Sequence, residues 1–370
     1  MKTCLVTGGA GFIGSFIVDE LVKRGHRVKI FDNLDPQVHP TGNLPAFINK
    51  DAEFIRGDVR DYDALKNALS GVDVVFHEAA SVGVGQSQYQ IKHYVDVNIG
   101  GTANLLDIIA NEKTAVSKIL VAGSMSSYGE GQYECDDCGL VRPPLRGEEQ
   151  MKEHDWELYC PECYEDIHPI PTGEDKRLEC NSIYAMTKRD QEEMVLNIGE
   201  TYNIPAVALR YFNVYGPRQS LSNPYTGVAA IFISRIKNNH APVIFEDGLQ
   251  TRDFVSVHDI ARANIMAMDN ETLSGCFNIG TGKARSIKSV AETLITLLGK
   301  EMQPNITNAF RKGDIRHCVA DISAAREAFG YEPKIKFEDG MKELIQWSAQ
   351  AEAEDKFEQA HQELQKRGLV

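Results

Sequence analysis

The feature that most limits how this chain can fold is a glycine-spaced turn set between an apolar strand and an amphipathic helix. Cys4-Leu5-Val6-Thr7 reads as a buried strand, Gly8-Gly9-Ala10-Gly11 as the turn, and Phe12 to Arg24 as the helix. Glycines so placed have separate duties. Gly8 permits the tight turn, Gly11 lets backbone approach a pyrophosphate, and Gly14 lets helix pack closely on strand. The free N–H groups at Phe12 and Ile13 then face the phosphates. A lone glycine loop is weak; a strand before it and a helix after it give it meaning.

Val28-Lys29-Ile30-Phe31 is a second strand, ending at Asp32. A carboxylate there accepts hydrogen bonds from both ribose hydroxyls and repels a 2′-phosphate, which selects NAD over NADP. Asn33 follows it. Asp58-Val59, after a third strand, is placed to meet the adenine; a capping Asp before the next helix explains it equally well. Further strands, Val74 to His77 and Ile119 to Ala122, and a long helix from Tyr94 to Ala110 complete a β-α alternation. That alternation predicts α/β architecture: a doubly wound parallel sheet covered on both faces. Residues 130–172 break the rhythm, with little helical or strand period, and read as an insertion. Helix and strand resume at 182–202 and 206–211. From Asn213 the elements become short and irregular. The expected division is a nucleotide-binding domain over 1–212, carrying the insertion, and a smaller lobe mainly from 213–370. The last thirty residues, from Gly340, read as one charged amphipathic helix with a solvated end.

A second signal lies far downstream. Tyr184 and Lys188, four apart on a helix, share one face, so the ammonium can lower the pKa of the phenol. Ser124 follows a strand at the carboxyl end of the parallel sheet, where ligands bind in such folds, and its hydroxyl can hold a substrate oxygen. The alternative is a surface Tyr–Lys pair and a loop serine. Order and spacing together favour hydride and proton transfer at a carbinol carbon.

The 370-residue chain carries eight cysteines and a net charge of -14. Its acidity disfavours a nucleic-acid partner and offers no polybasic membrane patch. No signal peptide and no membrane-length apolar run are visible, so a cytoplasmic protein is expected. Disulfides are disfavoured there. Cys135-x2-Cys138 and Cys160-x2-Cys163 instead match a four-thiolate structural zinc site, a zinc-ribbon-like staple with Gly139 and Pro161 suited to knuckle turns. Two disulfides or free thiols are the alternatives. Four thiolates leave no open position for catalysis. His154 and His168 read as plain loop residues, and Cys180 as a buried small residue near Tyr184.

Taken together, these motifs resemble the extended short-chain dehydrogenase/reductase family, in its nucleotide-sugar epimerase and dehydratase branch, outside residues 130–172. The likeness includes His77-Glu78-Ala79-Ala80, Asn98 with Gly101-Thr102, Ser124 to Gly129, Tyr184 with Lys188, Arg210 to Arg218, Arg252-Asp253-Phe254-Val255 and Phe277 to Gly280. It implies a Rossmann-type domain with NAD held near Ala79, Ala80 and Asn98, and a catalytic trio of Ser124, Tyr184 and Lys188. It implies Asn213, Arg252 and Arg311 on the nucleotide-diphosphate side, Val84 and Ser126 beside the sugar, and a homodimer through the helices 94–110 and 182–202. Forked guanidinium bonds suit a diphosphate.

The branch follows from departures. The 4,6-dehydratases of this family carry an Asp-Glu pair after the hydroxyl residue; Met125-Ser126 stand there. Decarboxylating members carry a Glu where Ser127 precedes Tyr128. Reductases commonly use NADPH, which Asp32 disfavours. Epimerisation remains. A narrower resemblance, to the dTDP-L-rhamnose 4-epimerases that make dTDP-6-deoxy-L-talose, rests on Asn33 to His39, Ser81 to Ser87 and Leu221 to Gly227. The first stretch is expected near the adenosine ribose, the others facing the substrate. Another UDP-hexose or hexuronate, a non-catalytic NAD sensor or scaffold, and a zinc-ribbon nucleic-acid binder remain as alternatives.

Overall fold

The structure, a computed structural model, describes residues 1–369. Seven strands form one parallel sheet: β1 (Thr3–Thr7), β2 (Arg27–Asp32), β3 (Glu53–Arg56), β4 (Val74–His77), β5 (Lys118–Ser124), β6 (Ala206–Tyr211) and β7 (Gly275–Ile279). Their spatial order is β7-β6-β5-β4-β1-β2-β3. The order reverses between β1 and β4, which opens a crevice at the carboxyl ends of the strands. Strands buried on both faces are mostly apolar, and β4 and β5 are buried throughout, with His77, Lys118 and Ser124 as polar exceptions at their ends. Leu5, Val75, Ile119, Val121 and Ala208 point into one core, whereas Val6, Phe76, Leu120, Ala122 and Leu209 point into the other.

Helices α1 (Phe12–Lys23) and α4 (Val257–Asp269) supply Ile17, Leu21, Ile260 and Ile265 to one face. Helices α2 (Gly101–Asn111) and α3 (Ile183–Tyr202) supply Leu105, Ile109 and Val195 to the other. The chain thus crosses the expected 212/213 division again, because α4 and β7 return to the nucleotide-binding layers. The smaller lobe has its own core, built from residues such as Ile233, Phe254, Leu294, Phe337 and Leu344.

Three local readings change. The stretch 94–110 is not a uniform α-helix. A π-helical turn, Val95–Gly100, precedes α2 and turns Asn98 into the interior. The end of the chain forms two helices, Phe337–Ser348 and Phe357–Lys366. Carbonyls between them turn away from a helical ladder: Lys237 Nζ donates to Ala351 O at 3.0 Å and Asn238 Nδ2 to Ala353 O at 2.7 Å. The insertion does contain strands, Gln132–Cys135, Gly139–Val141 and His168–Ile170, in an antiparallel sheet. Tyr133, Val141, Leu158 and Ile167 give it a small core. Among the described residues no helix is long and apolar enough to cross a membrane.

Candidate active site

The glycine turn is a backbone cradle. Gly8 has φ +67°, and a Cβ there would meet Ala79 backbone at 2.9 Å. A Cβ on Gly14 would stand 2.3 Å from Gly8 O, so helix and turn touch main chain to main chain. Gly11 caps α1 without a side-chain bond, and no acidic residue occupies the first turn. The first N–H groups of the helix, at Phe12 and Ile13, are therefore free for an anion.

Asp32 ends β2 with both carboxylate oxygens aimed at backbone. Ala10 N donates to Oδ2 at 3.0 Å and Leu34 N to Oδ1 at 2.8 Å. Burial raises its pKa, while those two N–H groups and His39 partly offset the rise. Asp32 thus pins the glycine turn. Asn33 Nδ2 donates to Asp58 Oδ2 at 2.9 Å, bringing two expected residues together. The capping alternative for Asp58 is not what is seen: Asp61 caps the next helix, accepting from Ala64 N. Hydrogen bonds from Arg60 hold Asp58 well below the usual carboxylate range. Val59 packs where α2 begins, against the Gly101 position. Ala79 and Ala80 follow β4 beside the glycine turn. Buried Asn98 accepts from Ser81 N at 2.7 Å and donates to Thr187 Oγ1 at 2.9 Å, tying the loop after β4 to α3.

Ser124 closes β5 and caps a short 3-10 turn. Its Oγ lies 2.8 Å from Ser126 Oγ, and Ser124 is the group that acts on the Tyr184 phenol. Tyr184 stands in the first turn of α3, its N donating to Ser87 Oγ at 3.0 Å and its ring edge-on to Tyr94. Burial pushes the phenol up, and only the neighbouring Ser124 hydroxyl opposes this. The Lys188 ammonium is turned to Gln191 Oε1 at 2.8 Å, so the expected lowering by Lys188 is not seen at the phenol. Burial lowers Lys188 to about 8, with Glu78 and Glu192 opposing.

Beneath Lys188 runs a buried chain that sequence reasoning missed. Gln191 Nε2 donates to Thr102 Oγ1 at 2.8 Å; Thr102 lies 3.0 Å from His77 Nε2, and His77 Nδ1 lies 2.8 Å from Thr7 Oγ1. Gln191 is one more helical turn along the Tyr-Lys face, which was the available signal. Beside it Tyr211 donates to Glu78 Oε1 at 3.0 Å, while Glu78 Oε2 has no partner.

The residues expected on the diphosphate side form a second group. Arg252 donates to Ile315 O at 2.7 Å and to Arg316 O at 2.9 Å. The Arg311 guanidinium lies 4.8 Å over the Phe245 ring and pairs with Asp314 at 2.8 Å. Burial pushes Asp314 up, but Arg311 and Arg252 reverse this and leave it below its ordinary value. Both arginines therefore converge on one segment. Asn181 Nδ2 donates to Gly313 O at 2.5 Å, joining that segment to the start of α3. Asn213 Oδ1 is buried without a hydrogen-bond partner. Val84 is exposed, on the short helix Val84–Ser87 that contacts Tyr184.

The three stretches singled out above meet beside Tyr184. Gln37 and Gln86 exchange amide hydrogen bonds at 3.1 and 2.9 Å, and Gln37 also reaches Asn223 Oδ1 at 3.3 Å. Tyr89 and Tyr225 hydroxyls lie 2.7 Å apart. The first stretch is thus not confined to the ribose end.

In the insertion the four sulfur atoms of Cys135, Cys138, Cys160 and Cys163 lie within 4.8 Å of one another. Cys135 and Cys163 sulfurs are 3.6 Å apart, close to the edge of a thiolate tetrahedron around an ion at about 2.3 Å. Each knuckle is followed by a left-handed residue, Gly139 at φ +72° and Tyr164 at φ +66°. Cys180 is half-buried, its sulfur 3.5 Å from Ser127 O.

Residues 4–146 match the model of the NAD dependent epimerase/dehydratase family, and residues 160–344 that of GDP-mannose 4,6 dehydratase. A dTDP-L-rhamnose 4-epimerase of Burkholderia thailandensis is 37% identical over 94% of this chain and 95% of its own. The Thermotoga maritima UDP-glucose 4-epimerase solved with UDP-glucose superposes with a TM-score of 0.76 at 30% identity, over 94% and 98% of the two chains. The Thermus thermophilus UDP-glucose 4-epimerase in complex with NAD gives 0.74 at 29% identity, over 95% and 100%. The chain belongs to the extended short-chain dehydrogenase/reductase family, among its NAD-dependent nucleotide-sugar epimerases. Cradle, open helix terminus and Asp32 fit NAD, and the chain is an isomerase that acts on a nucleotide sugar at C4.

Proposed function

We propose that the chain interconverts dTDP-L-rhamnose and dTDP-6-deoxy-L-talose. The observation that carries this reading is the meeting of Gln37, Gln86 and Asn223 beside Tyr184. It gathers all three stretches shared with dTDP-L-rhamnose 4-epimerases at the place where a sugar would sit. NAD, when bound, supplies the acceptor and donor of hydride. Tyr184, as phenolate, takes the C4 hydroxyl proton while Ser124 steadies the oxygen. The C4 hydride is released and the 4-keto sugar turns, presenting its other face. Hydride returns there, and Tyr184 gives its proton back to the oxygen. Lys188 keeps positive charge beneath the site, because it stays protonated below about 8. Arg252, Arg311 and Asn213 anchor the diphosphate while the sugar turns. Dehydration is disfavoured, since Met125 and Ser126 provide neither the acid nor the base that elimination needs.

Cys135, Cys138, Cys160 and Cys163 hold one structural zinc, which staples an insertion with only a small core. Two subunits pair through α2, α3 and the turn before α2. Exposed Ile91, Val95 and Met186 on that face support this.

The test is a comparison of dTDP-L-rhamnose with UDP-glucose and UDP-glucuronate, products identified by NMR. The highest kcat/KM is expected for dTDP-L-rhamnose. A clear preference for either UDP sugar would replace this substrate with a UDP-hexose or hexuronate.

A further inference from the structure

The insertion meets the smaller lobe through a charge network whose centre, Arg146, Glu246 and Arg316, is buried, while Glu157 and Asp247 at its edge reach solvent. Arg146 and Glu246 are each 1% exposed and form a forked pair, both bonds 2.8 Å. The same guanidinium donates to Trp156 O at 3.0 Å, inside the insertion, and to Asp314 O at 3.2 Å, outside it. Fully buried Arg316 continues the network, with Glu246 at 3.0 Å, Asp247 at 2.7 Å and Glu157 of the insertion at 3.0 Å. Glu130, where the insertion starts, accepts from Arg316 N at 2.9 Å and His317 N at 2.7 Å. Glu246 is held at φ +53°, a left-handed conformation uncommon outside glycine.

The two segments gripped in this way are those that present the diphosphate-side arginines. Glu246 is next to Phe245, the ring under Arg311. Asp314 binds the Arg311 side chain through its carboxylate and Arg146 through its carbonyl. The next carbonyl, of Ile315, orients Arg252. A forked Arg–carboxylate pair fixes direction as well as distance. Loops ordered before the ligand arrives spare it the entropy of ordering them.

We propose that Arg146 is a positioning residue for the nucleotide-diphosphate end of the substrate. Through it the cysteine-bearing insertion sets nucleotide affinity without entering the hydride chemistry. This rests on the assignment of Arg252 and Arg311 given above.

The experiment uses the full, NAD-loaded chain and titrates dTDP and UDP by calorimetry. Variants are Arg146→Lys, Arg146→Met and the pair Arg146→Met/Glu246→Gly, which leaves no buried unpaired charge and suits the left-handed position. Dissociation constants should rise about tenfold or more in both Met variants and less in Arg146→Lys, which keeps charge but not the fork. KM should follow, while kcat and bound NAD stay within about threefold. A residue that merely supports the fold would instead lower stability and leave the affinity of the folded fraction unchanged. A folded, NAD-loaded Met variant that binds nucleotide as tightly as the parent overturns the proposal. Hydrogen exchange on the unmodified chain decides the matter without any variant. Nucleotide should protect residues 144–158 together with 245–250 and 311–316; protection of the latter two alone overturns it. An unmodified chain that holds NAD but binds neither nucleotide contradicts the proposed function itself.

Discussion

Tyr184 and Lys188 sit in surroundings that oppose the charges their chemistry needs. Burial raises the phenol and lowers the ammonium to about 8. Replacing Tyr184 with Phe keeps the ring against Tyr94 and removes the proton carrier. Turnover should fall by about two orders of magnitude or more with NAD still bound, as steady-state rates and cofactor content would show. Near-normal turnover would mean that another group moves the proton. His77 carries a different consequence. Burial lowers it from 6.5 to about 3 in the fold, so between those values the unfolded chain binds the extra proton. Its contribution to stability is present above 6.5 and is lost as pH falls toward 3. Urea midpoints should drop over that window, and His77→Asn should flatten the slope while lowering stability overall. A parent chain equally stable at pH 4 and pH 7 would contradict this. The placement of Ser124 at a strand end and of Tyr184 and Lys188 on one helix was legible because helical spacing and strand ends are sequence properties. The Gln191–Thr102–His77 chain was not, since it joins residues from three elements whose meeting only the fold decides.

At the scale of elements, the glycine turn and the insertion make opposite demands. The turn works by having no side chains. Gly14→Ala places a methyl 2.3 Å from Gly8 O, a clash that backbone cannot relieve cheaply. It should cost about 1–3 kcal/mol in thermal or urea unfolding and reduce bound NAD. The insertion works through what its side chains hold. Replacing Cys135 and Cys138 with Ser should abolish zinc in elemental analysis, increase exchange across residues 130–172, and raise KM more than it lowers kcat. Metal-free parent protein, or a folded and NAD-bound variant with no chemistry, would count against the staple. The parallel sheet and its crevice were readable from the β-α alternation, because such strands are mostly apolar. The strands of the insertion were not, because strands of three or four residues around Cys and Pro carry too few positions for a period to show. The π turn at Asn98 and the break between the last two helices also escaped a periodic reading. Each depends on a tertiary partner, Thr187 in one case and Lys237 with Asn238 in the other.

Across the whole molecule, the glycine turn and Ser124 stand at the carboxyl ends of one sheet, Tyr184 stands on α3 beside it, and Arg252 and Arg311 belong to the smaller lobe. Exposed Ile91, Val95 and Met186 predict that the chain pairs. Light scattering at micromolar concentration should give twice the monomer mass of 41.1 kDa, and a monomer would reject the pairing. The central claim is that configuration changes at one carbon by removal and return of the same hydride, with NAD restored each cycle. The most direct measurement is NMR of the reaction in deuterium oxide, with purified protein and no added cofactor. The account predicts conversion to the C4 epimer with protium retained at C4. Dependence on added NADPH, or deuterium appearing at C4, would contradict it.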